Sequence, residues 1–218
     1  KPVSSAIINS LRKLEYRGYD SAGIATLSNG VINEVKSEGR VDNLEKNLAI
    51  KNMLGLVGIG HVRWATHGVP NTINAHPHSS DNVSIVHNGI IENSTILKKY
   101  LIGKGHVFKS QTDTEVIVHL ITEYLKKNNL KDSVIKMLKQ LHGSFALGII
   151  VKDQPDLIIG ARRGSPLAVG YGTNENYLGS DSYALKSMTN KITYLNDGEF
   201  CIIKKDQVEF FDEFGTKV

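Results

Sequence analysis

The sequence has little cysteine, proline or tryptophan, and these shortages narrow the possible classes of protein. Its 218 residues include one cysteine, five prolines and one tryptophan. A single cysteine cannot form an internal disulfide, which suits a reducing compartment. No apolar run approaches the roughly 18 residues that a membrane span needs, and no secretory signal peptide is recognisable. We therefore expect a cytoplasmic protein with no membrane partner.

Neither the acidic nor the basic residues are concentrated in any one part of the chain. The net charge is +4, and the basic residues occur singly or in isolated pairs. A nucleic-acid-binding surface typically clusters basic residues with aromatic residues between them, so we expect no nucleic-acid partner. The content of 40% hydrophobic and 22% charged residues is typical of a globular domain. This length favours one large domain over two small ones.

Hydrophobic periodicity predicts strands at both ends of the chain and most helices grouped between them. Helices are predicted over residues 6–14, 44–54, 93–101, 116–127 and 132–141. Strands are predicted over residues 24–27, 31–35, 56–62, 83–87, 145–151, 157–161, 167–169, 177–180, 192–195, 199–204 and 208–211. This order differs from the regular alternation of a doubly wound sheet. It predicts an α+β fold in which sheets pack on each other with helices outside them.

Half of the histidines fall in one stretch, GHVRWATHGVPNTINAHPH at residues 60–78. A zinc site is one interpretation, but the spacing of His61, His67, His76 and His78 matches none of the usual zinc patterns, and no cysteine pair accompanies them. We therefore expect no metal, and keep a metal protein built on this loop as an alternative. A further interpretation is that the histidines shape the loop by bonding to its backbone.

Arg63 follows an apolar strand, at a position where loops carry function. A guanidinium there can hold a carboxylate through two parallel hydrogen bonds. Asp113, within Thr-Asp-Thr-Glu at the start of a predicted helix, is the candidate acid. An ordinary capping box between Thr112 and Glu115 is the alternative explanation of that motif. Together, Arg63 and Asp113 could hold an α-amino acid by both of its charged groups.

The dipeptide Asn88-Gly89 lies between two apolar runs, which is a strong hairpin signal. In one interpretation the two residues only form a tight turn. In the other, the turn presents a side-chain amide and a backbone N–H together, as the stabilisation of an oxyanion requires.

Several motifs occur together in a recognisable order. They are LEYRGYDSAG at residues 14–23, RWATHG at 63–68, HPH at 76–78, HNGIIEN at 87–93 and TDTEV at 112–116, followed by RGSPL at 163–167 and SD at 180–181. Over essentially its whole length the chain resembles the glutaminase domain of the glucosamine-6-phosphate synthase family. The amidophosphoribosyltransferases share the His-Asn-Gly motif but not EYRGYD or RWATHG.

The resemblance implies an N-terminal-nucleophile hydrolase fold, a four-layer αββα sandwich with two antiparallel sheets. It implies that the thiol of an N-terminal cysteine attacks the side-chain amide of L-glutamine, with the α-amino group of that cysteine as general base and no cofactor. Ammonia then leaves from a covalent thioester.

Roles for individual residues also follow from the resemblance. Arg63 would bind the α-carboxylate of glutamine and Asp113 its α-ammonium, while Asn88 and Gly89 would form the oxyanion hole. The residues that would line or close the site are Thr66, His67 and His76. Trp64 would gate the path of ammonia, and a half-buried loop aromatic is its alternative interpretation.

The sequence departs from the family at the nucleophile. The family begins with Cys-Gly-Ile-Val-Gly on a first strand, which is not present in residues 1–218. Cys201 lies in Phe-Cys-Ile-Ile, typical of a buried strand in which a thiol packs as a small hydrophobe. We therefore expect residues 1–218 to be a glutaminase domain without its first strand and nucleophile, able to bind glutamine but not to hydrolyse it.

The resemblance also implies partners outside this sequence. A C-terminal isomerase half would use the ammonia to convert fructose 6-phosphate to glucosamine 6-phosphate, and a homodimer would form mainly through that half. Two alternatives remain: a non-catalytic glutamine-binding module, and the glutaminase domain of another class II amidotransferase such as an amidophosphoribosyltransferase.

Overall fold

The structure is a computed structural model that describes residues 1–51, 53–65 and 67–218. The helices are α1 (Ser4–Leu14), α2 (Val41–Lys51), α3 (Ser94–Gly103), α4 (Glu115–Leu125), α5 (Leu130–Gln140) and α6 (Ser182–Leu185). A 3₁₀ turn, Glu15–Arg17, follows α1. None of the helices described here has both the length and the apolar character needed to cross a membrane.

The strands of these residues form three antiparallel sheets. Their bounds are β1 (Ser21–Ser28), β2 (Val31–Glu38), β3 (Val57–Arg63), β4 (His78–Ser79), β5 (Val83–Ile91), β6 (Gly143–Val151), β7 (Leu157–Arg163), β8 (Ala168–Tyr171), β9 (Asn176–Gly179), β10 (Lys191–Tyr194), β11 (Phe200–Lys204) and β12 (Val208–Phe211). The large sheet has the order β12-β11-β7-β6-β5-β4, and the two small sheets have the orders β2-β1-β3 and β10-β8-β9.

The sheets pack face to face, with helices on both outer surfaces. One face of the large sheet buries an apolar core against α3, α4 and α5, in which Ile117 and Phe145 are fully enclosed. On its other face, Ile59 of β3 and Leu178 of β9 both lie against Gly148 of β6. Helices α1 and α2 cover the outer side of β1 and β2. The prediction of packed sheets with helices outside them is confirmed.

Most predicted elements are present, with ends that differ by at most three residues, except that β5 extends four residues beyond its predicted end. The 3₁₀ turn, β4 and α6 were not predicted, because a two-residue strand or about one turn of helix is too short to show a period. The predicted helix over 44–54 corresponds to α2, which begins at Val41. Residue 52, within that predicted range, lies outside the described residues.

The prediction of a turn at Asn88 and Gly89 is wrong. Strand β5 runs without interruption from Val83 to Ile91 and pairs with β6 along its length. Gly89 has φ +130°, and a Cβ atom on it would lie 2.1 Å from the carbonyl oxygen of Ser144. The glycine therefore allows β5 to approach β6 closely inside a sheet, where a side chain would not fit.

Gly23 of β1 provides a test of this packing. A Cβ atom at Gly23 would lie 2.0 Å from the carbonyl oxygen of His76, so Gly23→Ala must displace the segment that carries His76. We expect the free energy of unfolding to fall by about 1–3 kcal/mol, as in other overpacked sites, measured by urea denaturation. Gly103→Ala is the matched control, because a Cβ there meets nothing within 4 Å. Equal urea midpoints for Gly23→Ala and its parent would contradict this account of the packing.

Candidate active site

A pocket of about 280 Å³ lies beside the end of β3, the middle of β5 and the segment before α4. Its lining includes the seven described residues that the sequence singled out: Arg63, Trp64, His67, His76, Asn88, Gly89 and Asp113. Thr66, the eighth, lies outside the described residues. The fold thus brings together side chains from three separated parts of the sequence.

Arg63 is buried at the end of β3, with 3% of its surface exposed. Its Nη2 donates hydrogen bonds to the carbonyl oxygens of His67 and Gly68, and its Nη1 donates to that of Val69 at 3.4 Å. These bonds hold the loop that follows the strand. A ligand carboxylate at this position would compete with neutral carbonyl groups, and a charged acceptor forms the stronger hydrogen bond.

Asp20 also holds this loop, a role that the sequence analysis missed. One carboxylate oxygen accepts the backbone N–H of Ala65, and the other lies 3.5 Å from Arg63 Nη1 and accepts the hydroxyl of Ser21 at 2.7 Å. The signal was available, since Asp20 belongs to the EYRGYD motif. No periodicity or charge pattern showed what the carboxylate contacts.

Asp113 is buried, and its Oδ2 accepts the backbone N–H of Ile91 at 2.7 Å. That bond ties the segment before α4 to the end of β5 and uses one of the two carboxylate oxygens. The other oxygen can accept a hydrogen bond from a ligand. Asp113 therefore contributes a negative charge to the pocket on a backbone position that is fixed by a tertiary contact.

The capping-box interpretation of this motif is wrong. Thr114 occupies the N-cap position of α4 without a side-chain capping bond. Glu115 instead accepts the backbone N–H groups of Lys109 and Ser110, at 2.8 and 2.7 Å. Burial raises the pKa of Glu115 and is the largest single effect on it. The hydrogen bonds that the carboxylate accepts together outweigh burial and lower the pKa to about 2. The carboxylate therefore secures the loop that leads to Asp113.

Thr114 connects two of the buried histidines. Its hydroxyl oxygen lies 2.8 Å from His76 Nε2 and 2.9 Å from His87 Nδ1. His76 also stacks on the ring of His61, with centroids 4.4 Å apart. His78 lies nearby, and its Nε2 is 3.0 Å from the hydroxyl of Thr112. These contacts place His76 at the pocket wall with its ring fixed in position.

Asn88 and His61 meet across the two packed sheets. The Oδ1 of Asn88, on β5, lies 2.7 Å from Nε2 of His61, on β3. Both side chains line the pocket, although the sequence indicated no catalytic or substrate-binding role for His61. Gly89 follows Asn88 and lies close to Ser144 of β6, so that an added Cβ would be 2.1 Å from the carbonyl oxygen of Ser144.

Trp64 lies at the mouth of the pocket and is 67% exposed. One face of its indole packs on Gly18, where an added Cβ would lie 2.4 Å from Trp64 Cε3. Trp64 is therefore more exposed than the alternative interpretation, a half-buried loop aromatic, would require. His67 is exposed on the same loop, and its carbonyl oxygen accepts a hydrogen bond from Arg63.

Burial keeps four histidines at the site, His61, His76, His78 and His87, in the neutral form. It lowers the pKa of His61 to about 4 and of His78 to about 3. Burial also holds the pKa of His76 well below its usual value and lowers that of His87, although the charge of Asp113 partly opposes the latter. Within the described part of the chain, no group of three or more His, Cys, Asp or Glu residues is arranged to hold a metal ion.

Cys201 lies outside this pocket. It is fully buried on β11 and packs near Gly160 of β7. Burial raises the pKa of its thiol to about 12, so the thiolate form is scarce at neutral pH. Because nucleophilic attack by cysteine requires the thiolate, Cys201 is unsuited to nucleophilic catalysis.

A larger cleft of about 600 Å³ adjoins the pocket and shares His61 and Asn88 with it. Residues of β3, β6, β9 and α1 line it. Among the described residues, β3 pairs only with β1, and β9 only with β8. Two strand edges of the small sheets therefore border the same apolar cleft.

Comparison with known families bears directly on this geometry. A family model for the glutamine amidotransferase domain matches residues 62–187. The match covers more than half of the chain and includes the seven pocket residues named above. The chain belongs to the glutamine amidotransferase domain family. Arg63 and Asp113, the two buried charged residues of the pocket lining, both lie within the range that the family model matches.

Curated relatives of this amidotransferase domain extend the comparison to the whole chain. A protein of Mesorhizobium japonicum named glutamine–fructose-6-phosphate aminotransferase (isomerizing) is 52% identical over 218 residues, which is 99% of this chain and 36% of that protein. A protein of the same name from Caldanaerobacter subterraneus is 48% identical over 220 residues, with 100% and 36% coverage. The chain therefore spans about 36% of the length of these relatives.

Solved structures of amidotransferases show the same fold. The glutamine phosphoribosylpyrophosphate amidotransferase of Bacillus subtilis matches with a TM-score of 0.82 and 27% identity, over 98% of this chain and 47% of that chain. A class II glutamine aminotransferase domain protein of Silicibacter pomeroyi matches with a TM-score of 0.60 and 13% identity, over 88% and 91%. The prediction of an N-terminal-nucleophile hydrolase sandwich is confirmed, with the difference that the described strands form three antiparallel sheets where two were expected.

The neutral histidines predict a loss of stability in acid. Burial lowers their pKa in the folded state, so the unfolded chain binds protons that the folded chain excludes. Above the ordinary histidine pKa of 6.5, these rings should not reduce the free energy of unfolding. Below it, the free energy of unfolding should decrease as the pH falls towards the pKa values of the folded state, about 4 for His61 and about 3 for His78. His61 and His78 should each contribute on the order of 1 kcal/mol between pH 6.5 and about pH 5, measured by urea unfolding across that range.

His78→Gln tests directly whether the buried histidines cause this loss of stability, because it removes one titrating ring and keeps a side-chain N–H for Thr112. Its unfolding free energy should depend less steeply on pH than that of the parent protein. His142 is exposed, so His142→Gln should leave the slope unchanged. An unchanged slope in His78→Gln would show that acid acts elsewhere.

Proposed function

We propose that this chain is the glutaminase domain of a glutamine–fructose-6-phosphate aminotransferase. It hydrolyses L-glutamine to glutamate and ammonia, and a further domain uses the ammonia to make glucosamine 6-phosphate from fructose 6-phosphate. The name of the relatives at 48–52% identity supports the choice of acceptor. The geometry of the pocket supports the choice of glutamine.

The main observation in support of this function is that one small pocket contains two buried side chains of opposite charge. Arg63 and Asp113 both line it, and both are less than a tenth exposed. The volume of about 280 Å³ lies just below the range of typical small-molecule sites, roughly 300–1,000 Å³, and suits a ligand as small as an amino acid. Arg63 binds the α-carboxylate in place of its loop carbonyls, and Asp113 binds the α-ammonium with its second oxygen.

The reaction takes place at the other end of the bound amino acid. A thiolate attacks the side-chain amide carbon, and the carbonyl oxygen becomes an oxyanion that the Asn88 amide and the Gly89 N–H stabilise. The amide nitrogen is protonated and leaves as ammonia, which gives a thioester that water hydrolyses. His67 and His76 line the site, and the loop that contains Thr66 closes over the ligand. The neutral state of His76 avoids repulsion of the ligand ammonium.

The thiol belongs to a strand that lies in the larger cleft. The edges of β3 and β9 offer unpaired backbone N–H and C=O groups to such a strand, and the apolar lining offers a place for its side chains. The cleft adjoins the pocket at His61 and Asn88, so one end of the strand delivers a nucleophile beside the oxyanion site. This strand completes the glutaminase domain that residues 1–218 otherwise form.

The remaining partners are also part of the proposal. An isomerase domain of the same protein receives ammonia, and Trp64 at the pocket mouth gates its passage. A homodimer forms mainly through the isomerase domain, and the protein works in the cytoplasm. The amidophosphoribosyltransferases are structural relatives at 27% identity. This lower identity makes them a weaker guide to the function of this chain than the aminotransferases.

Asp113→Asn tests the binding of the ammonium group. Asparagine keeps an oxygen for the Ile91 N–H and removes the charge, so the fold should persist. Loss of a charge-assisted contact of about 1.5–3 kcal/mol should raise the glutamine KM of the full-length protein about tenfold or more. Asp132→Asn, at the start of α5, is the charge-matched control and should change nothing. An unchanged KM in Asp113→Asn would remove Asp113 from the binding site.

The identity of the nucleophile gives a second test. Residues 1–218 alone should bind glutamine without hydrolysing it, because the thiol of Cys201 is buried with a raised pKa. The full-length protein should hydrolyse glutamine, and Cys201→Ala should keep that activity almost unchanged. A glutamine-analogue electrophile such as 6-diazo-5-oxo-norleucine should label a different cysteine. An adduct on Cys201, located by peptide mass spectrometry, would show that the assignment of the thiol is wrong.

A further inference from the structure

The contact between His61 and Asn88 determines which end of the Asn88 amide can face the pocket. The ring nitrogen Nε2 of His61 lies 2.7 Å from Asn88 Oδ1. An amide oxygen only accepts hydrogen bonds, so this contact requires a proton on Nε2. With Oδ1 held by His61, the NH₂ group of Asn88 is directed away from the ring. An oxyanion in the pocket needs that NH₂ group and not the amide oxygen.

The surroundings of His61 favour the required tautomer. A neutral imidazole carries one N–H, on Nδ1 or on Nε2. Nδ1 of His61 is buried and has no hydrogen-bond partner among the described residues. A proton on Nδ1 would leave a buried donor unsatisfied, which is rarer in proteins than an unsatisfied acceptor. Burial also lowers the pKa of His61 to about 4, so the ring stays neutral and carries its proton on Nε2.

The ring of His61 is held in place by its neighbours. It stacks on His76, with an angle of 29° between the ring planes, and its backbone pairs with Gly23 in β1. The other buried histidines of the site have different partners. His76 and His87 contact Thr114, and His78 contacts Thr112. Among these four rings, only His61 has a hydrogen bond to Asn88 in the structure.

We propose that His61 is a positioning residue, whose Nε2–H fixes the Asn88 amide so that its NH₂ group points at the oxyanion. The proposal rests on the glutaminase function proposed above. Without the imidazole N–H, the amide can rotate and present its oxygen, which would repel the developing negative charge. The contact also joins β3 to β5, so the packing of the two sheets sets the direction of the oxyanion donor.

Steady-state kinetics of the full-length protein tests the role. His61→Leu removes the N–H and should lower kcat about tenfold or more, by analogy with the effect of losing an oxyanion donor, with the glutamine KM within about threefold of the parent. His61→Gln can place a side-chain N–H near the position of Nε2 and should recover most of kcat. His106→Leu is the matched control, because His106 is likewise partly buried but contacts His119 and Glu123 and not Asn88. Its kcat should stay unchanged.

A double-mutant cycle separates positioning from a general loss of structure. If His61 acts through Asn88, adding His61→Leu to Asn88→Gly should reduce kcat little further. If the two effects on kcat multiply, or if His61→Gln is as impaired as His61→Leu, the proposal is overturned.

The tautomer provides a readout that does not depend on activity. In the full-length protein labelled with [¹⁵N]histidine, solid-state NMR should show His61 protonated on Nε2, with the signal assigned by its loss in His61→Leu. Protonation on Nδ1 would overturn the positioning role even in an active enzyme. A parent protein without glutaminase activity would instead refute the proposed function, and the Nε2–H result would still stand.

Discussion

The hydroxyl group of Thr114 joins the three parts of the chain that form the pocket. Its oxygen contacts His76 from the loop after β3 and His87 from β5, at 2.8 and 2.9 Å, and Thr114 itself follows Asp113. A hydroxyl has one proton to donate, so at least one of the two rings must donate its own N–H to the oxygen. The contact therefore requires rings in defined tautomers, which is possible because burial keeps both of them uncharged. Without this oxygen, two buried ring nitrogens would lose their partner, and the loop, the strand and the segment before α4 would no longer be fixed relative to one another.

The two buried charged groups of the pocket, Arg63 and Asp113, are satisfied mainly by the backbone and not by each other. Arg63 donates to carbonyl groups of its own loop, with a longer contact of 3.5 Å to Asp20. Asp113 accepts the N–H of Ile91. A direct ion pair between Arg63 and Asp113 would neutralise the site and would have to be broken by any ligand. Backbone dipoles compensate each buried charge more weakly than an opposite charge does, so an amino acid with both charges can replace them.

The sequence predicted the order of the layers well, because long buried strands and amphipathic helices show their period locally. It also identified the pocket residues Arg63, Asn88 and Asp113, since their motifs carry a recognisable resemblance. Local rules failed where a tertiary contact overrides them. Asn88-Gly89 has the composition of a hairpin turn, but the close approach of Ser144 places it inside a strand. Thr112-Asp113-Thr114-Glu115 has the spacing of a capping box, but the hydroxyl of Thr112 contacts His78, more than thirty residues away in sequence, and Glu115 binds the backbone of the preceding loop. The role of His61 depends on which sheet faces β5, and no spacing along one chain contains that information.

The position of Trp64 has a consequence for spectroscopy. It is the one tryptophan of the 218 residues, and it lies at the mouth of the pocket with two thirds of its surface exposed. One face rests on Gly18, while the loop that carries it is held by Arg63 and Asp20. The intrinsic tryptophan fluorescence of residues 1–218 therefore comes from a single indole at the pocket mouth. The emission wavelength and the quenching of this indole by iodide follow its exposure to solvent at that position, with no dye attached and no other tryptophan among these residues to obscure the signal.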